Sequence, residues 1–481
     1  MNREHSIAAC TALCAALAIL WLGGCSAALA PGYKVLNETR TVVFVPGSLH
    51  IREHYLLKNT GTTTLPFLDI AFPEGMAFGT HDVRIEWNGR AIDLSEPPEE
   101  DRQDIPNMRR ISFEPPWMRE RTGGLDIEYR FSAQSDGVDR IAIGDQTFHL
   151  SSSGWAALPQ SPHHLLSPYP TRPPKMIYTV RVPKDFLVLG RGKLKHRKIE
   201  HTEADYQFQL GKNDLAPFVV AGRYIETRRG SVVFWTLHPL AQSAGRSPRR
   251  IADAWATLEK DFGPVDTEVH VPHVVEDPLL DSHPNERPDA AASFPGGALV
   301  GEQTLALGIA SDAFVERVSH ALAHNWFSDE MYPSPDAAIG IGEGLAEYAT
   351  VVIDEADGGA SARQKRIEYF LGRYNEAQKH TEETPLGVTR LTDPPSQRAI
   401  AIAKAPLMYV ALEDTCGEQP VRNALKNVVA VLRGQQVGFN DLRSATEQTC
   451  DKDLGEFFRA WLYGKGLPSS FAARYKSSAA P

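Results

Sequence analysis

The sequence has no excess of positive charge: 50 Lys and Arg stand against 60 Asp and Glu, for a formal net charge of -10. With no basic stripe, nucleic acid is disfavoured as a partner. The chain also lacks an apolar run long enough to span a bilayer, since residues 6–22 fall short of the roughly 20 a spanning helix needs. Cysteine is scarce, five among 481 residues. There is no repeat of fixed period and no low-complexity segment, and residues 33–229 contain no window of ten or more with helical period.

What is present begins at the N-terminus. MNREH carries an arginine, a short apolar stretch follows, and Leu22-Gly23-Gly24-Cys25 closes it. That order matches a secretory signal, residues 1–24, with a basic start, an apolar middle and small residues before the cut. LGGC resembles the lipobox of bacterial lipoproteins, which implies lipidation at Cys25, export and a membrane anchor facing the periplasm or exterior. Cys10 and Cys14 would leave with the signal, so the mature chain keeps Cys416 and Cys450. An exported location permits a disulfide between them, but the sequence does not show whether their Cα atoms come within the roughly 4.4–6.8 Å that a bridge needs.

At this length two or three domains are expected. From Tyr33 to about Arg229 the chain reads as short alternating or apolar runs such as TVVFVP, VRIEWNG, LDIEYRF and FVVAGRYIE, cut by Gly, Pro, Asn and Asp. This predicts an all-β N-terminal sandwich over residues 25–229. The pattern then changes. SPRRIADAWATLEKDFG places Ile251, Ala254, Trp255 and Leu258 on one helical face, EVHVPHVV reads as a strand, and helices dominate from Asp312 onward. Residues 230–469 are therefore predicted α+β and mainly helical, with 470–481 as a tail. Residues 277–295, rich in Pro, Asp and Ser, read as a long loop beside the candidate site.

That site rests on SHALAHNW. His320 and His324 lie four residues apart, so on a helix both point from one face at a single ion. Two histidines alone are weak evidence. The eighteen residues that separate His324 from Glu343, within GEGLAEY, give the set its specificity. The arrangement resembles the aminopeptidase N family of gluzincin metallopeptidases, whose pattern is H-E-x-x-H, eighteen residues, then E within N-E-G-x-A-x-Y. The likeness extends through LEKDFGPVDTEVHVP and the helical stretch that ends in WLYGKGLP. It implies a thermolysin-like (gluzincin) second domain, one zinc ion on His320, His324 and Glu343, and peptide or protein N-termini as ligands.

The family pattern is broken in three places. Ala321 stands where the proton-transferring glutamate belongs, and Ile402 of IAKAP stands where a tyrosine would steady the oxyanion. FPGGALVGEQT is matched to the family's G-A-M-E-N edge strand, with Gly297 and Ala298 as substrate-binding residues and Glu302 as a delayed acid. The reading is an exported zinc-binding lipoprotein whose hydrolytic chemistry is impaired, with no catalytic residue assigned. One alternative is an active peptidase that uses Glu316 or Glu347 as substitute base; a second is a structural lipoprotein without metal.

Overall fold

The computed structural model describes residues 32–73, 83–99, 107–132, 141–150, 155–160, 176–211, 217–239, 246–265, 271–278, 280, 291–306 and 311–475. The expected signal segment and the expected lipidation site Cys25 lie outside them. In chain order the first strands are β1 (Tyr33–Val45), β2 (Ser48–Asn59), β3 (Leu65–Ala71), β4 (Val83–Trp87), β5 (Arg90–Ala91), β6 (Met108–Trp117) and β7 (Thr122–Ser132). Next come β8 (Ile141–Ile143), β9 (Thr147–Leu150), β10 (Leu158–Gln160), β11 (Met176–Pro183), β12 (Leu187–Gly190), β13 (Lys193–Glu200) and β14 (Glu203–Leu210). The chain continues through β15 (Val219–Gly222), β16 (Ile225–Arg229), β17 (Val232–Thr236), α1 (Ser247–Phe262), β18 (His273–Glu276), β19 (Ala291–Phe294) and β20 (Gly297–Val300). The remainder is α2 (Glu302–Ala306), α3 (Asp312–His324), β21 (Tyr332–Pro333), α4 (Gly344–Ala377), α5 (Pro395–Cys416), α6 (Glu418–Val431), β22 (Gln436–Val437), α7 (Phe439–Cys450), α8 (Gly455–Tyr463) and α9 (Ser469–Tyr475).

Two compact units result. The described residues within Met1–Asp145, His149–Lys184 and Leu194–Lys212 form one, and those within Gln146–Phe148, Asp185–Lys193 and Asn213–Pro481 form the other. The expected boundary at residue 229 thus falls too late. β16 pairs with β17 as a hairpin in the second unit, and Phe218, Val220 and Tyr224 bury themselves with Val233, Trp235 and Val275 there. Sequence runs of equal β character on both sides of the boundary gave no sign of it.

The first unit is the predicted β-sandwich. An eight-stranded sheet, β13-β14-β11-β1-β2-β7-β4-β5, faces a three-stranded one, β10-β3-β6. Trp87 of the large sheet packs on Phe113 and Trp117 of the small one, with ring centroids 4.6 and 5.0 Å apart. In β2, Leu49, Ile51, Glu53, Tyr55 and Leu57 alternate inward, the period-two signature of a half-buried strand. Glu53 is the polar member of that row. Its carboxylate meets Arg40 at 3.2 Å and accepts a 3.0 Å hydrogen bond from the Tyr129 hydroxyl, while Arg40 also pairs with Glu38. Burial pushes the Glu53 carboxyl up to about 7, with Glu38 adding to the push and Arg40 opposing it.

The second unit joins a five-stranded sheet, β16-β17-β18-β20-β19, to the helices. Ile251, Ala254, Trp255 and Leu258 of α1 enter the helical core, as their spacing predicts. α4 is interrupted at Gly359, where φ is +67°. Its two arms fold back on each other: Arg373 reaches Glu347 at 3.0 Å and Arg366 reaches Asp354 at 2.7 Å. A straight helix would hold residues 26 apart at about 39 Å. Cys416 and Cys450 form a disulfide with Cα atoms 5.3 Å apart, tying the end of α5 to the end of α7.

Candidate metal centre

α3 carries the two histidines. Ser311 caps its N-terminus by accepting a hydrogen bond from the Phe314 amide at 3.1 Å, and Phe314, Val315, Val318 and Leu322 bury its inner face. The helix then widens into a π-helical turn, Asn325–Glu330, in which Trp326 and Phe327 are fully buried. Trp326 donates to the Gly263 carbonyl at 2.6 Å and packs edge-on against Trp255, and Phe327 packs on Phe262. α1 thereby fixes the helix from behind.

Glu343 closes a second π-helical turn, Ala338–Glu343, and α4 starts at the next residue. That residue must be glycine, because a Cβ on Gly344 would lie 2.6 Å from the Ala405 Cβ of α5. The close approach of the two helices brings Glu343 opposite the histidines. His320 Nε2 and His324 Nε2 are 3.1 Å apart, and Glu343 Oε2 lies 3.6 and 3.7 Å from them. Four tetrahedral bonds of roughly 2.0–2.1 Å would set ligand atoms about 3.3 Å apart, so this spacing fits a zinc-sized cation without rearrangement. The donor set, two imidazoles and a carboxylate, fits as well. Among the described residues it is the one group of three or more such side chains whose ligand atoms converge in this way.

Outer contacts orient each ligand. His324 Nδ1 is 3.0 Å from Ser328 Oγ, and His320 Nδ1 is 3.4 Å from Glu347 Oε2, whose other oxygen takes the Arg373 guanidinium at 3.0 Å. Burial disfavours charge on both imidazoles. At His320 the Glu347 and Glu343 carboxylates outweigh it and hold the ring up at about 10, whereas at His324 burial prevails and pushes it down to about 4. The facing nitrogens thus belong to one ring that favours the proton, His320, and one that disfavours it, His324. At Glu347 burial is outweighed by His320 and Arg373, and its carboxyl falls to about 2.

Ion pairs engage both proposed substitute bases. Glu347 sits against Nδ1 of His320, on the far side of the ring from Nε2, and is held by Arg373. Glu316 is paired with Arg366. Ala321 is fully buried, and its methyl has no group to move a proton. Ile402 is a half-buried part of the helical core on α5, and Lys404 beside it is committed to Glu383 at 2.6 Å and the Gly464 carbonyl at 2.8 Å.

The edge-strand expectation requires correction. Gly297 and Ala298 lie on β20, which is hydrogen-bonded to β18 on one side and β19 on the other, so no peptide can pair with them. The edge of this sheet is β19, Ala291–Phe294, within the segment expected to be loop. Four small or apolar residues after a polar stretch carry too little pattern to be read as a strand. Glu302 is exposed in the first turn of α2 and takes no part in the converging set. Sequence reasoning also missed Asn325. Its side chain accepts from the Gly296 amide at 2.6 Å and donates to the Gly297 and Leu322 carbonyls at 3.2 and 3.0 Å, tying the β19–β20 turn to the histidine helix.

No family model and no curated protein matches the sequence. Solved structures do. The M1 zinc metallopeptidase from Deinococcus radiodurans matches with a TM-score of 0.62 at 17% identity, over 91% of this chain and 95% of that one. The fold is that of the two-domain M1 zinc metallopeptidases. A glutamate-to-alanine mutant of the Deinococcus protein bound to a Tyr-Ser-Ala substrate matches at TM-score 0.61 and 18% identity, over 91% and 95%. Aminopeptidase A from Legionella pneumophila, in complex with aspartic acid, matches at 0.65 and 14%, over 91% of this chain and 50% of that one.

Proposed function

We propose that this protein is an exported, lipid-anchored zinc-binding relative of the M1 aminopeptidases that holds peptide or protein N-termini but hydrolyses them poorly or not at all. One observation carries the reading: three donors are set for a zinc ion at His320, His324 and Glu343, while the residue after the first histidine is Ala321. Zinc bound there would supply a Lewis acid for a carbonyl oxygen. The chain's own part in hydrolysis would be to take a proton and return it to the leaving amine, a contribution of about 10²–10⁴ in rate. Ala321 cannot make it, and Glu316 and Glu347 are engaged by arginines. Ile402 offers no hydroxyl for an oxyanion, a loss of about 2.7–4 kcal/mol in a comparable site.

Peptide retention is supported by the Deinococcus mutant, in which a glutamate replaced by alanine left a protein that could be captured with its peptide. Lipidation at Cys25 would place this binding activity at a membrane surface facing the periplasm or exterior. Among the described residues no helix is long and apolar enough to cross a membrane.

The test is a joint one on the purified full chain. Metal analysis should find one zinc per chain, lost in His320→Ala. Calorimetry with short peptides should show binding that depends on the metal, with no release of amino acids. Chelator-sensitive turnover by protein free of contaminating peptidase would establish the active-enzyme alternative instead, and a metal-free chain would establish the scaffold.

A further inference from the structure

The end of the β-sandwich at which the described chain begins carries a cluster of basic side chains that the metal centre does not use. Lys34 of β1 stands directly opposite Lys58 of β2 in the antiparallel register. Like charges in that relation are destabilising unless something offsets them. Glu120 offsets one, pairing with Lys58 at 2.7 Å. Lys34, Arg119 and Arg121 have no ion-pair partner among the described residues, and all three are exposed.

The turn that bears the arginines is rigidly built. The Asn59 amide donates to the Arg121 carbonyl at 3.0 Å, the Glu120 amide donates to the Asn59 carbonyl at 2.9 Å, and the Trp117 indole donates to the Arg121 carbonyl at 3.1 Å. The buried Asn59 side chain donates to the Trp117 carbonyl at 2.9 Å. At the tip stands Met118, an apolar side chain 59% exposed. The chain enters beside it, since Gly32 accepts from the Thr60 and Gly61 amides at 3.2 and 3.0 Å.

We infer that this end of the sandwich is a docking face for an anionic phospholipid surface, with Met118 entering the headgroup layer and Lys34, Arg119 and Arg121 meeting lipid phosphates. The inference rests on the lipid-anchor reading of Cys25. From there to Gly32 the chain can span at most about 25 Å, so the anchor keeps this end close to the bilayer. Charge complementarity selects the partner: Lys34, Lys58, Arg119 and Arg121 against Glu120 leave this face three positive charges in excess on a chain of net charge -10, and each basic residue near an anionic surface strengthens partitioning roughly fivefold. The face therefore sets the orientation of the unit, while the acyl chains hold it.

The test uses the full chain reconstituted into vesicles of phosphatidylcholine with or without phosphatidylglycerol, carrying a quencher on the lipid headgroup. A fluorophore is placed at Met118→Cys or, as control, at Val45→Cys. Val45 is exposed at the other end of the 13-residue β1, about 40 Å away by strand rise. The Met118 probe should be quenched several-fold more than the Val45 probe, only with phosphatidylglycerol. High salt or Lys34→Glu/Arg119→Glu/Arg121→Glu should abolish the difference; the milder Lys34→Gln/Arg119→Gln/Arg121→Gln should reduce it if the reversal misfolds. Equal quenching of the two probes, or quenching indifferent to charge, overturns the inference. Incorporation of labelled palmitate into wild type and not into Cys25→Ser tests the anchor separately, so the two ideas can fail independently.

Discussion

Glu347 lies one turn past the ligand Glu343 and backs His320 rather than facing the ion. Carboxylates in that position orient the imidazole and raise its basicity, and their loss costs about 10–100-fold in metal affinity. Glu347→Gln is therefore expected to weaken zinc binding by that factor in a competition titration, with peptide-independent folding intact. The proton on His320 sets the pH response. Because the ring stays protonated up to about 10, the ion must displace that proton across the neutral range. Apparent zinc affinity should accordingly fall about tenfold for each unit of acidification below neutrality; an affinity flat in pH would contradict it. Ala321→Glu should bring measurable hydrolysis of aminoacyl substrates, up to about 10² over wild type, with a thermal melt to show that the buried site tolerates the larger side chain. The ligand triad was legible because its spacing is a geometric requirement of one ion on two helices. The outer residues Ser328 and Asn325 were not, since a serine or asparagine after a histidine has many commoner uses.

At the scale of elements, α4 and α5 position Glu343. Gly344→Ala would drive a methyl into Ala405, and overpacking of this kind costs about 1–3 kcal/mol. A lowered melting temperature together with weaker zinc binding is the expected outcome. The Cys416–Cys450 bridge spans a sequence separation of 34, worth about 3–4 kcal/mol in the chain-entropy picture. Cys416→Ser/Cys450→Ser should lower the denaturant midpoint by a corresponding amount while zinc affinity holds, because neither cysteine belongs to the converging ligand set. Helical periodicity made α1 visible, since Ile251, Trp255 and Leu258 all face the core. β19 went unseen because Ala291–Phe294 pairs through its backbone, and its register against β20 is set by the two-residue Pro295-Gly296 turn rather than by side-chain alternation.

At the scale of the whole chain, the order of a β unit followed by a mainly helical one was readable from the switch of period near residue 247. The boundary was not, because β15 and β16 look like any other strands and only their partners assign them to the second unit. The β unit carries its own pH response. Glu53 is raised in the folded state from 4.5 to about 7, so the folded form binds the proton more tightly than the unfolded one. The associated stability is full below about pH 4.5 and is lost as pH climbs through 7, on the order of 3 kcal/mol in all. Urea unfolding of wild type should weaken over that interval, and Glu53→Gln should flatten the trend.

The reversal of α4 at Gly359 has one more effect. Arg373 can brace Glu347 because the chain doubles back at a residue whose φ is +67° and ψ -162°, a conformation that a β-carbon strains by about 1–3 kcal/mol. The placement of the carboxylate behind His320 is thus partly governed from a bend that is not itself part of the ligand set. In a screen for zinc-deficient variants, lesions would accumulate there, and they would look like misplaced hits to anyone who mapped them by proximity to the ion.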